Sequence, residues 1–311
     1  MKLAFVFPGQ GSQSVGMMNG FATNETVMAV LAKADEALGE PLSQLIQEGP
    51  AESLNLTVNT QPAMLAASYA MYEAWLAAGG PEPLVMAGHS LGEYTALTAA
   101  GVFPLENAVH LVRFRAQAMQ SAVPVGVGAM AAILGLSDQQ VEEICARATA
   151  EEVVEPVNYN CPGQVVIAGH KQAVENACAA SLAAGARRAV VLPVSAPFHS
   201  SLLVPAAREL AVKLTGMQLA RPRIPVIANV DVISHETPES LREALAKQAA
   251  APVQWVRTIL KMQEMGITDI VECGPGKVLS GLVRRIAPEI KTHSFVDDET
   301  LKALLTEFAQ N

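Results

Sequence analysis

The stretch Gly88-His89-Ser90-Leu91-Gly92 follows an apolar run, Pro83 to Ala87, and precedes a helix-compatible segment, Glu93 to Ala100. Strand, sharp turn and helix in that order form a nucleophile elbow, which lifts one serine hydroxyl clear of a sheet. Both glycines are expected to serve a tight turn with unusual backbone angles, where a side chain beside the serine would find no room. Ser90 is therefore the candidate covalent nucleophile. A helix beginning at its C-terminal side would aim free amides and a positive dipole end at any oxyanion formed there, the Leu91 amide nearest. The five-residue motif also arises by chance in Gly- and Ser-bearing loops, so its weight comes from the flanking elements.

Outward from the elbow, short β-like runs alternate with alanine-rich helical ones, the pattern of α/β architecture. Leu3 to Phe7 reads as a buried first strand that ends at Pro8-Gly9-Gln10-Gly11-Ser12-Gln13. Val27 to Leu38 and Gln61 to Ala78 carry helical apolar spacing, and Ile224 to Ala228 and Asp269 to Glu272 read as further strands. Between Gly126 and Pro193 the rhythm changes. Strands are expected at Ala129 to Leu134, Val153 to Asn158, Gln164 to Ala168 and Ala189 to Leu192, with helices at Ser137 to Thr149 and Gln172 to Ala184. That βαββαβ order is the ferredoxin-like unit. The expected fold class is α/β: a large, α/β-hydrolase-like subdomain with a parallel sheet and the elbow (1–125 and 195–311), plus an inserted ferredoxin-like small subdomain (126–194).

Composition bounds the function. A chain of 311 residues can bury a large core and accommodate a main body with a smaller lobe. Half of it is hydrophobic, yet no uninterrupted apolar stretch reaches the ~18 residues that span a bilayer. The apolar start stops at Pro8-Gly9, below signal-peptide length. Cys145, Cys161, Cys178 and Cys273 are scattered without a C-x-x-C pair, which suits a reducing compartment and offers no metal spacing. A net charge of -9 argues against general nucleic-acid binding, which needs clustered Lys and Arg. A cytoplasmic protein is expected, with no membrane and no nucleic acid among its partners.

A serine nucleophile needs a base, and six histidines compete for the role. The His89 ring would point away from the Ser90 hydroxyl and suits a packed, structural position. His110 lies on a helical face, His170 starts a helix of the insert, and His235 and His293 stand in polar, surface-like contexts. His199 follows the last insert strand, in Ser195-Ala196-Pro197-Phe198-His199-Ser200, where the chain re-enters the main body. Spacing alone leaves it open as the base or as a satisfied structural histidine.

Seven separated motifs then converge. Phe7-Pro8-Gly9-Gln10-Gly11-Ser12-Gln13, Gly88-His89-Ser90-Leu91-Gly92-Glu93-Tyr94, Arg115 within Val112-Arg113-Phe114-Arg115, Asn158-Tyr159-Asn160-Cys161-Pro162-Gly163-Gln164, Phe198-His199, Pro252-Val253-Gln254-Trp255 and Glu272-Cys273-Gly274-Pro275-Gly276 stand in family order. In this the chain resembles the malonyl-CoA:acyl carrier protein transacylases over essentially its whole length. The acyltransferase domains of polyketide and fatty acid megasynthases share the same motifs.

The resemblance implies Ser90 as the acylated nucleophile and His199 as its general base, oriented by the backbone carbonyl of Gln248 rather than by an aspartate. It implies an oxyanion hole from the Leu91 and Gln10 amides, and substrate contacts from Arg115, Gln248, Asn160 and Phe198. Arg115 would hold the malonyl carboxylate, against the plainer reading of a helix-surface salt bridge assumed for Arg113. Phe198 matches the malonyl-selecting form, where a serine marks the methylmalonyl one. The implied reaction is a ping-pong transfer from malonyl-CoA to the phosphopantetheine thiol of acyl carrier protein. Neither metal nor redox cofactor is called for, and a monomer is expected. Because carrier proteins are acidic, docking requires a local basic patch, with Arg187-Arg188 and Lys277, Arg284, Arg285 as candidates or as plain surface charge.

Three rivals share parts of this pattern. A serine esterase or thioesterase would share the elbow, but the hydrolase order also asks for a late acid and His and an HGGG-like loop, which is missing. A dinucleotide-binding enzyme is suggested by Gly9-x-Gly11, yet Ser14 takes the third glycine's place. A non-catalytic acyl-binding scaffold is disfavoured by Ser90, Arg115 and His199 all being present.

Overall fold

The computed structural model describes residues 1–148, 152–194 and 196–310. Five strands form one sheet: β1 (Leu3–Phe7), β2 (Val85–Gly88), β7 (Val226–Ile227), β8 (Asp269–Glu272) and β9 (Lys291–Ser294), in the order β7-β2-β1-β8-β9. Every pairing in it is parallel, with Phe7 opposite Gly88 and Leu3 opposite Asp269. Parallel strands need crossovers, and helices fill both faces.

The first strand shows why its sequence is apolar without alternation. Leu3, Phe5 and Phe7 pack into one core with Tyr72 and Trp75, whereas Ala4 and Val6 enter a second core with Trp255, Ile259 and Leu282. Phe5 meets the Trp75 ring at 5.2 Å and the Tyr72 ring at 5.7 Å, edge to face. Both faces of β1 are therefore closed to water, and its end delivers Gly9 and Gln10 beside the elbow.

A second sheet is antiparallel, built from β3 (Gly128–Leu134), β4 (Val154–Cys161), β5 (Gln164–His170) and β6 (Arg188–Val191) in the order β4-β5-β3-β6. The helices Asp138–Ala148 and Lys171–Ala183 cover one face and share a third core with it, through Ala131, Ile133, Val165 and Ile167. The element order is the βαββαβ expected from the sequence, with ends displaced by up to three residues. Thr149, the expected end of the first of these helices, lies outside the described residues, as does Ser195. Two other expectations shift. The strand read over Ile224 to Ala228 contracts to the two residues of β7, and β9 is a polar edge strand that its sequence did not announce.

The elbow glycines act through close approach rather than unusual angles. A Cβ on Gly88 would lie 1.9 Å from the Gly92 carbonyl, and one on Gly92 would lie 2.0 Å from the Phe7 oxygen. Neither glycine has a positive φ; the strained residue is Ser90 itself, at φ 53° and ψ -110°. These contacts press the helix Leu91–Ala99 onto the end of β1. Because the obstacle is backbone, Gly92→Ala is expected to cost roughly 3 kcal/mol, seen as a lower denaturation midpoint. A midpoint equal to that of the unmutated chain would contradict this packing.

Candidate active site

Each site residue arrives on a different element. Ser90 stands between β2 and the helix Leu91–Ala99, at the C-terminal end of the parallel sheet, where ligands of open α/β sheets bind. His199 comes from the segment after β6. Its Nε2 lies 2.7 Å from Ser90 Oγ, across 109 positions of chain. The other ring nitrogen, Nδ1, lies 2.8 Å from the Gln248 carbonyl oxygen. Gln248 is the last residue of the helix Pro238–Gln248, where carbonyls lack intrahelical partners. A helix end thus supplies the acceptor that a carboxylate supplies in triads. Since only a protonated Nδ1 can bond a carbonyl, Nε2 carries the free lone pair and faces the serine hydroxyl.

Arg115 lies on the helix Leu105–Ser121 in register with Ala108, Leu111, Val112 and Met119, the buried stripe of that helix. It is 1 % exposed, which removes the surface salt-bridge reading; that reading holds for Arg113, which pairs with Glu40 at 2.8 Å. The Arg115 guanidinium donates to Gln61 Oε1 at 2.7 Å, Gln248 Oε1 at 2.9 Å and Ser90 Oγ at 3.1 Å. The Tyr94 ring lies 5.1 Å beneath it. A buried cation within reach of the nucleophile, held by neutral oxygens, is able to pair with an anion brought next to the reacting atom.

Burial sets the ionisation states. It pulls His199 down to about 3, and the positive charge of Arg115 adds to the effect. The imidazole is consequently neutral throughout the neutral range, with its Nε2 lone pair unprotonated. We expect kcat/KM for acylation to show no acid limb near pH 6.5, checked by a pH–rate profile; a limb there would mean that His199 titrates normally. The stability consequence has a definite sign. An unfolded histidine takes a proton near 6.5, whereas His199 resists until about 3, so its contribution is present above 6.5 and lost as pH falls between these values.

The site is a cavity of about 130 Å³. Ser90, Arg115, His199, Gln10 and Gln61 are among its polar lining, while the apolar Met130, Val166, Leu192 and Val194 come from the antiparallel sheet and its exit. Phe198 lines it too. Asn160, expected among the substrate contacts, is not in the lining: its Oδ1 meets His89 Nε2 at 2.8 Å, and Asn158 reaches the cavity instead. Along a strand, residues two apart share a face, yet β4 is irregular between Tyr159 and Cys161, so spacing could not place either side chain. His89 also lines the cavity and packs 5.5 Å from the Trp255 ring.

His110 is exposed on the helix Leu105–Ser121, and the other three histidines have partners. His170 Nδ1 accepts from the Val153 amide, His235 bonds Asp231 and His293 bonds Asp269, the last two less exposed than their polar contexts suggested. Among the described residues there is no cluster suited to a metal ion, and no helix is long and apolar enough to cross a membrane.

Two residues without an expected role hold the elbow. Asn229, following β7, accepts from the Ser90 amide at 2.7 Å and donates to the Gly88 carbonyl at 2.7 Å, pinning the strained turn from both sides. Glu93, quoted within the elbow motif, is buried and accepts from the Asn229 amide and Gln248 Nε2. Burial pushes its carboxyl up to about 7 against the opposing pull of these donors and of Arg115. Only contacts spanning more than a hundred residues reveal either role.

The acyl transferase domain model matches residues 4–296 of the chain. The malonyl CoA-acyl carrier protein transacylase of Escherichia coli (strain K12) is 49% identical over 305 residues, 98% of this chain and 99% of that protein. The crystal structure of an acyl-carrier-protein S-malonyltransferase from Burkholderia pseudomallei superposes with a TM-score of 0.97 at 55% identity, over 98% of this chain and 100% of that one. A malonyl-transacylase solved in complex with its type II PKS acyl-carrier protein gives 0.97 at 46% identity, over 99% of this chain and 100% of the other. The domain match over residues 4–296 and the end-to-end likeness to these relatives place the chain in the acyl transferase domain family, among the malonyl CoA-acyl carrier protein transacylases.

Proposed function

We propose that this chain transfers the malonyl group of malonyl-CoA to the phosphopantetheine thiol of an acyl carrier protein, through a malonyl ester on Ser90, in fatty acid synthesis. The observation that carries the reading is the Arg115 guanidinium 3.1 Å from Ser90 Oγ. A buried cation so near the nucleophile favours an acyl group that brings its own carboxylate.

The steps follow from the geometry. The His199 lone pair takes the Ser90 proton as Oγ attacks the thioester carbon, and the Leu91 and Gln10 amides receive the oxyanion. Collapse expels the CoA sulfur, which leaves as a thiol with the proton that His199 held. The carrier thiol then gives its proton to His199, attacks the ester, and Ser90 recovers its hydrogen. No oxidation state changes, so no redox cofactor enters. The apolar wall of Met130, Val166, Leu192 and Val194 supports protection of the ester from water between the half-reactions.

In this reading residues 1–125 and 195–311 form the hydrolase-like catalytic part and 126–194 a ferredoxin-like insert that closes the cavity, as a monomer in the cytoplasm. The carrier docks on basic groups at the seam. Arg285 bridges that seam already, donating to Gln164 Oε1 at 2.9 Å and to the Pro162 carbonyl at 3.2 Å, so Arg284, Lys277 and Arg187-Arg188 are the freer candidates for carrier contact.

Initial rates measured with malonyl-CoA and carrier protein varied together are expected to give parallel double-reciprocal lines, because the first product leaves before the second substrate reacts. Lines that converge would require both substrates bound at once and would contradict the ester intermediate.

A further inference from the structure

The acyl transfer above leaves one buried carboxyl unused. Glu93 lies in the first turn of the helix Leu91–Ala99, is 2 % exposed, and is not part of the cavity lining. Its Oε2 accepts from Gln248 Nε2 at 2.8 Å and from the Asn229 amide at 2.9 Å. Gln248 Nε2 also donates to the Ser90 carbonyl at 3.0 Å. Both hydrogens of that amide are thereby committed to one side, which turns its oxygen the other way, onto Arg115 Nη2 at 2.9 Å. A rotated amide would set oxygen against the Glu93 oxygen and N–H against the guanidinium. Both contacts would be repulsive.

Arg115 is thus gripped by two neutral oxygens, Gln248 Oε1 and Gln61 Oε1, the second fixed in turn because Gln61 Nε2 donates to Thr57 Oγ1. Among the described residues Arg115 forms no ion pair with Glu93, so its charge is steadied at one remove but not cancelled by contact. We propose that Glu93 is a specificity-determining positioning residue: by locking the Gln248 amide, it presents Arg115 with its charge open to a carboxylated acyl group. The proposal rests on the malonyl reading of the site.

The test compares acylation by malonyl-CoA and by acetyl-CoA in Glu93→Leu and Glu93→Gln. Leucine fills the space and removes the acceptor; glutamine retains a carbonyl oxygen able to take the same two hydrogen bonds. The malonyl-over-acetyl ratio of kcat/KM is expected to fall about 10- to 100-fold in Glu93→Leu, the scale of one charge-assisted hydrogen bond. In Glu93→Gln it should return to within about threefold of the unmutated ratio. A role confined to folding would lower both rates together, and an unchanged ratio in Glu93→Leu, or a glutamine variant as poor as the leucine one, overturns the proposal. If Glu93→Leu does not fold, Gln248→Leu removes the locked oxygen while keeping the backbone carbonyl used by His199, and an unchanged ratio there overturns it equally. Absence of any malonyl preference in the unmutated chain would instead fell the functional reading beneath it.

Discussion

Arg115→Ala is expected to lower kcat/KM for malonyl-CoA by about 10⁴-fold and to raise the use of acetyl-CoA. A site built to hydrogen-bond one group rejects the analogue lacking it by roughly 10⁴ or more, while bulk alone discriminates about 10- to 200-fold. In the intact protein an acetyl group would leave the buried guanidinium facing no carboxylate; with alanine that penalty disappears. The substitution also strips partners from Gln61 Oε1 and Gln248 Oε1, so some stability is lost, on the order of 1–3 kcal/mol for each buried oxygen left bare. A thermal midpoint measured alongside separates this cost from specificity. Because Arg115 helps hold His199 down, the variant's pH–rate profile should show its acid limb at higher pH. Selectivity equal to that of the unmutated chain would remove Arg115 from substrate contact.

Ser90→Ala and His199→Ala are each expected to cost on the order of 10⁴ to 10⁶ in kcat, and the double variant little more than either alone. The reason is mechanical: one proton moves between Oγ and Nε2 over 2.7 Å, so removing either end removes the same step. Multiplying losses in the double variant would show that the two residues act separately. His199→Ala has a further effect, since it frees the Gln248 carbonyl, a helix-end acceptor with no other side-chain partner among the described residues. A modest loss of stability should accompany it, about 1–3 kcal/mol.

Much of this site could be read before any coordinates, and the parts that could not share a cause. The elbow is legible because strand, glycine, serine and helix signals sit together in the single stretch Pro83 to Ala100. The antiparallel unit is legible for the same reason: each strand and helix carries its own period, and β1 and β8 agree end to end with their sequences. β9, Lys-Thr-His-Ser, carries no apolar alternation because it is an edge strand held by its backbone bonds to β8.

The site residues divide along the same line. His199 was one of six histidines until the family motif singled it out, and its φ of 67° has no local signal in Phe198-His199-Ser200. Arg115 looks like Arg113 in the sequence, two positions away on the same helix, and only the direction of the buried stripe tells a buried guanidinium from a surface ion pair. Asn229, Gln61 and Glu93 act through partners tens to more than a hundred residues distant, and such pairings leave no periodic trace. Asn160, expected among the substrate contacts, bonds His89 beside a strand irregularity that shifts which side chains face the cavity.

All of this depends on Ser90 storing the acyl group between two thiols. Intact mass after brief mixing with malonyl-CoA, before any carrier protein is added, tests it most directly. The account predicts one malonyl adduct on the unmutated chain, none on Ser90→Ala, and little or none from acetyl-CoA. An adduct that survives Ser90→Ala, or carrier protein malonylated at full rate by that variant, would contradict it.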